Sequence, residues 1–329
     1  MAQKVAFVTG ATGFLGLNLV EQLCASGWQV TALHRSTSSL DTLRRFPVAL
    51  AQSHLLDPDG LKRSIPENAD CVFHVAGNTS VWSHNNGTQL RDNVDGTRNI
   101  VAAARAKGVR RFVHTSTWNV YGFDQGPLRE DMPKRGQRSW INYARTKFYG
   151  EMVALAAGER GLPVVVLNPC HIVGRYDAHN WARMILMADR GKLPGIPPGS
   201  GEFCHAVEVA RAHIAAAERG RPGENYLLGG AVASYADYVA EIGAQLGKKV
   251  PRRVLAPWLL RSYARVAAGI AGLTGREPDA TPEGVALALA HGRTATDKAE
   301  RELGYRKAPL ATMVKDAVDW LRAEGKLKS

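Results

Sequence analysis

Three glycines close to the start of the chain limit most strongly what this sequence can fold into. Gly10, Gly13 and Gly16 follow an apolar run at 5–8 and precede an apolar-periodic segment over 15–23. This order predicts a strand, a tight turn and a helix, because glycines let the backbone turn sharply and let the helix pack closely on the sheet. The free N–H groups at the helix start can donate to a pyrophosphate, so the pattern predicts a dinucleotide site. The expected contacts in this loop are Gly10, Thr12, Gly13, Phe14, Leu15 and Gly16.

A tyrosine and a lysine lie four residues apart in a second apolar-periodic segment, over 141–155. The spacing places Tyr143 and Lys147 on one face of a helix. A free phenol has a pKa of about 10, and a neighbouring ammonium favours the phenolate and lowers that pKa toward neutrality. The pair predicts that Tyr143 exchanges protons and that Lys147 lowers its pKa. The alternative is an ordinary amphipathic helix, where the same spacing also occurs.

A third element, over 111–122, is rich in β-forming residues and ends in hydroxyls and a glycine. Together, the TGxxGxxG loop, this hydroxyl-bearing strand end and the YxxxK pair resemble the extended short-chain dehydrogenase/reductase family. Further matches spread over nearly the whole chain, at 56–57, 72–77, 93–97, 168–174, 303–305 and 318–320. The resemblance implies an α/β fold with a doubly wound parallel (Rossmann) sheet and a smaller, interleaved C-terminal substrate-binding lobe. The alternation of strand and helix patterns through about residue 170 favours the same sheet.

The resemblance also implies how the chain divides between the two lobes. A Pro/Gly-rich loop at 191–201 marks the change of character after the first six strands. Residues 1–174 and about 204–249 are expected in the dinucleotide-binding domain. The substrate-binding lobe is expected over about 175–203 and 250–310, followed by a C-terminal helix at 311–329.

Roles for individual residues follow from the resemblance. Thr117 takes the position of the hydroxyl that orients a substrate carbonyl, while Tyr143 exchanges the proton and Lys147 holds the cofactor ribose. Ser116 is the alternative hydroxyl, but on a strand it should face the opposite side. Asn93 supports the site from beneath or is a helix-packing amide. The other implied cofactor contacts are Leu56, Asp57, Ala76, Gly77, Asn93, Asn168, Pro169, His171 and Ile172.

The end of the second predicted strand indicates which cofactor is used. An NAD site usually has a carboxylate there for the ribose hydroxyls, whereas a 2′-phosphate favours a guanidinium. This chain has Arg35 followed by Ser36, and the nearest acid, Asp41, comes six residues after Arg35. NADP(H) is therefore the favoured cofactor, with NAD(H) as the alternative. An exposed arginine without a ligand is the competing interpretation of Arg35.

The reaction type is indicated by two departures from other branches of the resembling family. Trp118 and Asn119 stand where dehydratases carry an acid pair, which disfavours dehydration. The segment 167–174 lacks the continuation common in nucleotide-sugar epimerases and is similar to the dihydroflavonol reductase and 3β-hydroxysteroid dehydrogenase branch. We therefore expect reduction of a ketone or aldehyde of a fairly apolar small molecule, or oxidation of the alcohol. The alternatives are a nucleotide-sugar epimerase with tightly bound NAD and a non-catalytic NADP(H)-binding regulatory protein.

Aromatic and polar side chains in several loops are candidates for contact with the substrate, and packing in the core is the alternative for each tryptophan. Six of them form the expected substrate set: Asn78, Ser80, Trp82, Trp118, His171 and Trp181. Further candidates are Thr79, Val81, His84, Trp140 and His179.

Charge and hydropathy narrow the set of partners. The chain of 329 residues has a net charge of +12, but its basic residues are dispersed over predicted helices, so nucleic acid is not an expected partner. The apolar segment 257–270 contains two arginines and is too short to span a bilayer. No stable membrane insertion is expected, with shallow contact as the alternative.

Cysteine spacing and the N-terminus indicate the compartment. Four scattered cysteines, Cys24, Cys71, Cys170 and Cys204, form no CxxC pair, so neither disulfides nor a metal site is expected. The first strand is expected from about residue 4, which leaves no room for a secretory leader and predicts a cytoplasmic protein. The resemblance implies a homodimer formed by the two helices that carry Asn93 and Tyr143.

Overall fold

The computed structural model describes residues 3–122 and 126–328. In the first half of the chain, parallel strands alternate with helices. These elements are β1 (Val5–Thr9), α1 (Phe14–Ala25), β2 (Gln29–His34), β3 (Val48–Gln52), α2 (Pro58–Ser64), β4 (Cys71–His74), α3 (Asn86–Leu90), α4 (Gly96–Ala106), β5 (Phe112–Thr115), α5 (Asn142–Gly158) and β6 (Val164–Pro169). A π-helical turn, Arg91–Asp95, joins α3 to α4.

The second half mixes short strands with longer helices. Its elements are β7 (His171–Val173), α6 (Ala182–Asp189), β8 (Ser200–His205), α7 (Ala206–Arg219), β9 (Asn225–Leu228), β10 (Ala231–Ser234), α8 (Tyr235–Leu246), α9 (Pro257–Thr274), α10 (Pro282–Ala288), α11 (Asp297–Leu303) and α12 (Leu310–Ala323). None of the helices within 3–122 and 126–328 is long and apolar enough to cross a membrane.

Across the described residues, seven parallel strands form the main sheet in the order β3-β2-β1-β4-β5-β6-β9. The chain starts in the middle at β1, runs outward to β3, and then returns to β4 on the other side. This reversal beside β1 creates a crevice at the carboxyl ends of the strands, where such sheets bind their ligands. The expected doubly wound α/β sheet is confirmed.

A second sheet, in the order β10-β8-β7, carries the smaller part of the structure. β7 pairs parallel to β8, and β10 pairs antiparallel to it. The intervening β9 belongs to the main sheet, so the chain passes between the two sheets more than once. The predicted division of residue ranges between two lobes stays a prediction.

Helices cover both faces of the main sheet, which explains why its central strands are continuously apolar. Val8 of β1 and Phe73 of β4 pack in the cluster that contains α1 and α7. Their neighbours Phe7 and Val72 point to the opposite face, toward α2, α4 and α5. A third cluster joins α6, α8 and α12 to the small sheet. The crevice at the carboxyl ends is therefore held by rigid packing from both sides.

Candidate active site

The glycine loop between β1 and α1 has a geometry that only glycine permits at two positions. Gly10 has φ of +69°, and a Cβ there would lie 2.7 Å from the Ala76 nitrogen. A Cβ at Gly16 would lie 1.9 Å from the Gly10 carbonyl oxygen. Gly13 precedes α1 and provides no capping side chain, and no acid follows in the first turn. The first helical N–H groups are therefore available to an anion.

A cavity of about 500 Å³ opens beside this loop, at the carboxyl ends of β1, β4, β5 and β6. Many of the residues predicted for the site line it together. These are Gly10, Gly13, Phe14, Leu15, Gly16, Ala76, Gly77, Thr117, Trp118, Tyr143, Lys147, Pro169, His171, Ile172 and Trp181.

Tyr143 lies in the first turn of α5 and its hydroxyl is hydrogen-bonded to Thr117. Burial raises the pKa of Tyr143, and the hydrogen bond from Thr117 opposes that rise only in part. The spacing favoured a net fall of this pKa toward neutrality; the net direction is a rise instead, because burial of the phenol outweighs the other effects. Tyr143 is thus a neutral phenol, able to donate a proton. The hydroxyl of Ser116 is buried and has no hydrogen-bond partner among the described residues.

Lys147 lies one turn further along α5 and is also buried. Its Nζ donates a hydrogen bond of 2.6 Å to the Thr115 carbonyl oxygen at the end of β5. Burial lowers the pKa of Lys147 to about 8, and the charge of Glu151 opposes this fall. A Cβ on Gly77 would lie 3.5 Å from Nζ, so a side chain at this position would contact the ammonium group.

Glu151 is a buried carboxylate that the motif analysis missed. It follows Lys147 by one turn of α5, forms an ion pair with Lys134, and accepts a 3.0 Å hydrogen bond from the Asn168 side chain. Asn168 also donates to the Thr117 carbonyl oxygen at 3.2 Å. The signal in the sequence was an acid at i+4 from Lys147, on a helical face that must be buried if Tyr143 and Lys147 are. Glu151 therefore ties the helix that carries Tyr143 to the strand end that carries Thr117.

Asn93 lies in the π-helical turn and fastens the loop after β4 to α5. Its Oδ1 accepts from the Asn78 backbone nitrogen at 2.7 Å, while its Nδ2 donates to the Asn78 carbonyl at 2.9 Å and to Thr146 Oγ1 at 3.1 Å. A Cβ on Gly77 would lie 3.5 Å from Asn93 Oδ1. These contacts hold the Asn78 backbone against α5, and a role of Asn93 in supporting the cofactor site stays a prediction.

Aromatic rings form the far wall of the cavity. The His171 ring lies 5.1 Å from the Trp118 ring and 4.6 Å from the Trp181 ring, in edge contacts. Tyr235, which also lines the cavity, lies 5.4 Å from Trp181. Burial lowers the pKa of His171 to about 3, so this histidine is neutral. The wall is therefore aromatic and carries no charge.

In the loop after β4, Thr79 and Val81 line the cavity, whereas three predicted substrate residues do not. The Asn78 side chain donates to Asp92 at 2.9 Å. Ser80 Oγ accepts from the Trp82 backbone nitrogen at 3.2 Å, and the Trp82 ring stacks on His84. Alternate side chains of the loop thus point away from the cavity and stabilise the loop itself.

Several predicted cofactor residues lie beyond the cavity lining. Arg35 and Ser36 follow β2 and are exposed, and Arg35 forms no ion pair within the described ranges. Asp57 caps α2, accepting from the Gly60 nitrogen at 2.9 Å, and Leu56 beside it is exposed. Thr12 is half-buried in the glycine loop. Contact of these residues with a cofactor stays a prediction.

The part of the wall that comes from the end of the chain was not predicted. Gly284, Leu287 and Ala288 of the α10 region line the cavity, as does Gly292. A Cβ on Gly292 would lie 2.3 Å from the Trp118 ring, so this glycine makes room for the indole. No local sequence signal identifies these residues, because only the tertiary fold brings them to the cavity.

Comparison with protein families gives a match over residues 6–229 to the NAD dependent epimerase/dehydratase family. A Synechocystis protein provisionally named a dihydroflavonol 4-reductase is 30% identical over 98% of this chain and 96% of its own length. The 4-hydroxy-2-methyl-3-oxo-4-farnesyl-3,4-dihydroquinoline-1-oxide ketoreductase of Stigmatella aurantiaca is 32% identical over 91% of both chains.

Among solved structures, the crystal structure of gox2253 is similar over 99% of this chain and all of that chain. Its TM-score is 0.86 and its sequence identity is 32%.

Proposed function

The chain belongs to the NAD dependent epimerase/dehydratase family, and we propose that it reduces a ketone or aldehyde with NADP(H). As its motifs indicated, it is an NAD(P)-dependent oxidoreductase. The substrate is a fairly apolar small molecule, and the same site oxidises the corresponding alcohol in reverse. The observation that carries the proposal is one cavity in which the glycine loop, the Tyr143–Thr117 hydroxyl pair and Lys147 meet.

The residues present fit a dinucleotide. The first turn of α1 offers free N–H groups to the pyrophosphate, and Gly10 and Gly16 have no room for a side chain. At the other end, the bare Gly77 backbone leaves the Lys147 ammonium accessible to a ribose. When bound, the reduced nicotinamide supplies the hydride for the carbonyl carbon.

Tyr143 and Thr117 act on the carbonyl oxygen. Both hydroxyls lie at the cavity wall within hydrogen-bond distance of each other, so one oxygen atom can accept from both. As negative charge develops on that oxygen, Tyr143 Oη donates its proton to it. The Lys147 ammonium stabilises the phenolate that remains, and the Thr117 hydroxyl keeps the substrate carbonyl oriented. The raised pKa of Tyr143 keeps the proton in place until the carbonyl arrives.

The character of the wall supports an apolar substrate. Trp118, His171 and Trp181 present uncharged rings, and Val81 and Leu287 add aliphatic surface. No acidic side chain lines the cavity among the described residues. The names of the two curated relatives refer to a dihydroflavonol and to a farnesylated dihydroquinoline oxide, which are both ring compounds, the second with an apolar farnesyl chain.

The preference for NADP(H) rests on Arg35. This guanidinium lies just after β2, where a carboxylate would bind the ribose hydroxyls of NAD, and it is exposed and pairs with no acid among residues 3–122 and 126–328. A bidentate contact between arginine and the 2′-phosphate would discriminate between the cofactors.

A binding titration tests the cofactor. NADPH and NADH are titrated into the purified protein, after a check for cofactor that copurifies, and into Arg35→Ala. Loss of the phosphate contact is expected to weaken NADPH binding about tenfold or more and to leave NADH binding unchanged. The matched control is Arg105→Ala, since Arg105 is exposed near the end of α4, shortly before the start of β5, whereas Arg35 follows the carboxyl end of β2. Firmly retained NAD would instead favour the epimerase.

Turnover is tested with NADPH and a panel of aromatic and alicyclic ketones, with UDP-sugars as the contrasting class. Tyr143→Phe is expected to lower kcat by at least about a hundredfold while NADPH binding is kept, because the proton donor is lost. Undiminished turnover by this variant would contradict the proposed role of Tyr143.

A further inference from the structure

Helix α9 carries six of the thirteen exposed large hydrophobic side chains found among the described residues. Five apolar side chains follow one another at spacings of four and three residues, which places them on one side of the helix. Their exposed fractions reach 63% for Val266 and 91% for Leu273. The opposite side of α9 is buried at Ala264 and Ala271, where the helix packs on α10. We name the exposed set the apolar stripe; it consists of Leu259, Tyr263, Val266, Ile270 and Leu273.

The surroundings of the apolar stripe are strongly basic. Between Glu241 and Glu277 the sequence contains no acidic residue. The basic residues in that interval are Lys248, Lys249, Arg252, Arg253, Arg261, Arg265 and Arg276. Lys248 pairs with Asp189, but none of the arginines forms an ion pair within the part of the chain that the structure describes. The sequence interval that contains α9 is therefore basic throughout, and acidic residues return only after the helix, at Glu277, Asp279 and Glu283.

We propose that α9 lies on the surface of an anionic lipid bilayer, with the apolar stripe immersed in the interface and Arg252, Arg253 and Arg276, which precede and follow α9, at the level of the lipid phosphates. Uncompensated basic charge beside an exposed apolar helical face is the combination that binds such surfaces. Trp258, 69% exposed at the start of α9, and Tyr263 add the aromatic groups that favour the interface.

The basic residues near α9 also argue against a second copy of this chain as the partner that covers the apolar stripe. A symmetric, antiparallel pairing through the apolar stripe would bring Arg252 and Arg253, which precede α9 in one copy, toward Arg276, which follows α9 in the other. Like charges brought together in this way oppose association. An anionic lipid surface, in contrast, provides the missing negative charge.

The position of α9 relates this surface to the cavity. α9 packs on α10, and Gly284, Leu287 and Ala288 of α10 line the other side, at the cavity. One helix thus separates the lipid-facing stripe from the site. This arrangement suits an apolar substrate that partitions into the bilayer, although the lipid binding itself does not depend on the proposed reaction.

Vesicle flotation tests the proposal. The full chain is mixed with vesicles of phosphatidylcholine alone or with added phosphatidylglycerol, at low and high salt. We expect binding to the anionic vesicles and its loss at high salt. The triple variant Leu259→Gln, Ile270→Gln, Leu273→Gln should bind at least about tenfold more weakly, because it removes the apolar contact. Val232→Gln, an exposed valine on β10, is the matched control and should bind as the wild type does.

The charge is tested separately. Arg252→Gln with Arg253→Gln should weaken binding to anionic vesicles about 25-fold, since each arginine at such a surface is worth about fivefold. Arg105→Gln on α4 is the control. Unchanged NADPH binding and thermal midpoint show that each variant is folded.

Three results would overturn the proposal. The first is a wild type that does not float with anionic vesicles, and the second is equal flotation of the wild type and the triple variant. The third is equal, salt-independent binding to neutral vesicles. A wild-type dimer that the triple substitution converts to a monomer, without vesicle binding, would assign the stripe to a second copy.

Discussion

The buried carboxylate of Glu151 should control the pH range in which the site works. Lys147 has a pKa lowered to about 8 by burial, and the negative charge of Glu151 is what opposes a further fall. Glu151→Gln keeps the size of the side chain and an oxygen that can accept from Asn168, but it removes the charge. We therefore expect the pKa of Lys147 to fall in this variant.

The size of that change follows from the helix geometry. At about 6 Å and an effective dielectric constant of about 20, two unit charges interact with about 2.8 kcal/mol, or about two pKa units. Lys134, which is paired with the same carboxylate, cancels part of this. A fall of about one unit is thus expected, from about 8 to about 7.

The sign of the effect on activity is fixed by the state of Lys147 that the reaction needs. The site uses the cation, so activity falls as pH rises through the Lys147 pKa, and a lower pKa moves that fall to lower pH. A shift of about one unit lowers kcat/KM about twofold at pH 7 and about fivefold at pH 8. The assay is the pH profile of kcat/KM for NADPH, which reports the free enzyme.

Lys134→Gln is the matched control, because it removes the opposing positive charge and leaves Glu151 in place. Its alkaline limb should move to higher pH, opposite to that of Glu151→Gln. If both variants are folded and both limbs stay where the wild type has them, the electrostatic reasoning is refuted.

Three further perturbations follow from distances in the structure. Gly16→Ala places a Cβ 1.9 Å from the Gly10 oxygen, so we expect NADPH binding to be lost and the thermal midpoint to fall, measured by titration and calorimetry. Gly292→Ala places a Cβ 2.3 Å from the Trp118 ring, and kcat/KM for bulky ketones should fall while NADPH affinity is unchanged. Asp316→Asn removes a charge that accepts from two basic side chains and should destabilise the fold by about 2 kcal/mol at neutral pH. Burial tends to raise the pKa of Asp316, but hydrogen bonds and nearby positive charges outweigh burial, so this pKa is lowered. The Asp316 carboxylate therefore stabilises the fold above its usual pKa of about 4, and this stabilisation is lost as pH falls through the lowered pKa. Acid unfolding curves of the wild type and Asp316→Asn would show the loss as a difference in stability that disappears at low pH.

The sequence predicted best those parts of the site that depend on a short stretch of chain. Gly16 is dictated by a backbone contact inside one strand–turn–helix unit and Gly10 by the positive φ of the same turn, whereas Tyr143 and Lys147 are placed by the pitch of a single helix. The same local reasoning misjudged the direction of the Tyr143 pKa, since burial is a property of the whole fold and spacing does not report it. Gly292 could not be found at all, because its role is the room it leaves for a ring far away in the chain.

The two sides of the site differ in charge: one holds buried charged and polar groups, and the other is a neutral aromatic wall. Beneath the hydroxyl pair, Glu151 forms an ion pair with Lys134 and accepts a hydrogen bond from Asn168. None of these three residues lines the cavity. Above it, the rings around His171 present only neutral surface, and the low pKa of His171 keeps that surface uncharged across the working pH range. Negative charge that develops on the atom meeting Tyr143 and Thr117 is therefore stabilised by these hydroxyls and the nearby Lys147 ammonium, and not by the far wall. A carbonyl oxygen on an apolar molecule suits this arrangement, whereas a substrate with its own charges would lose solvation along most of the wall without compensation.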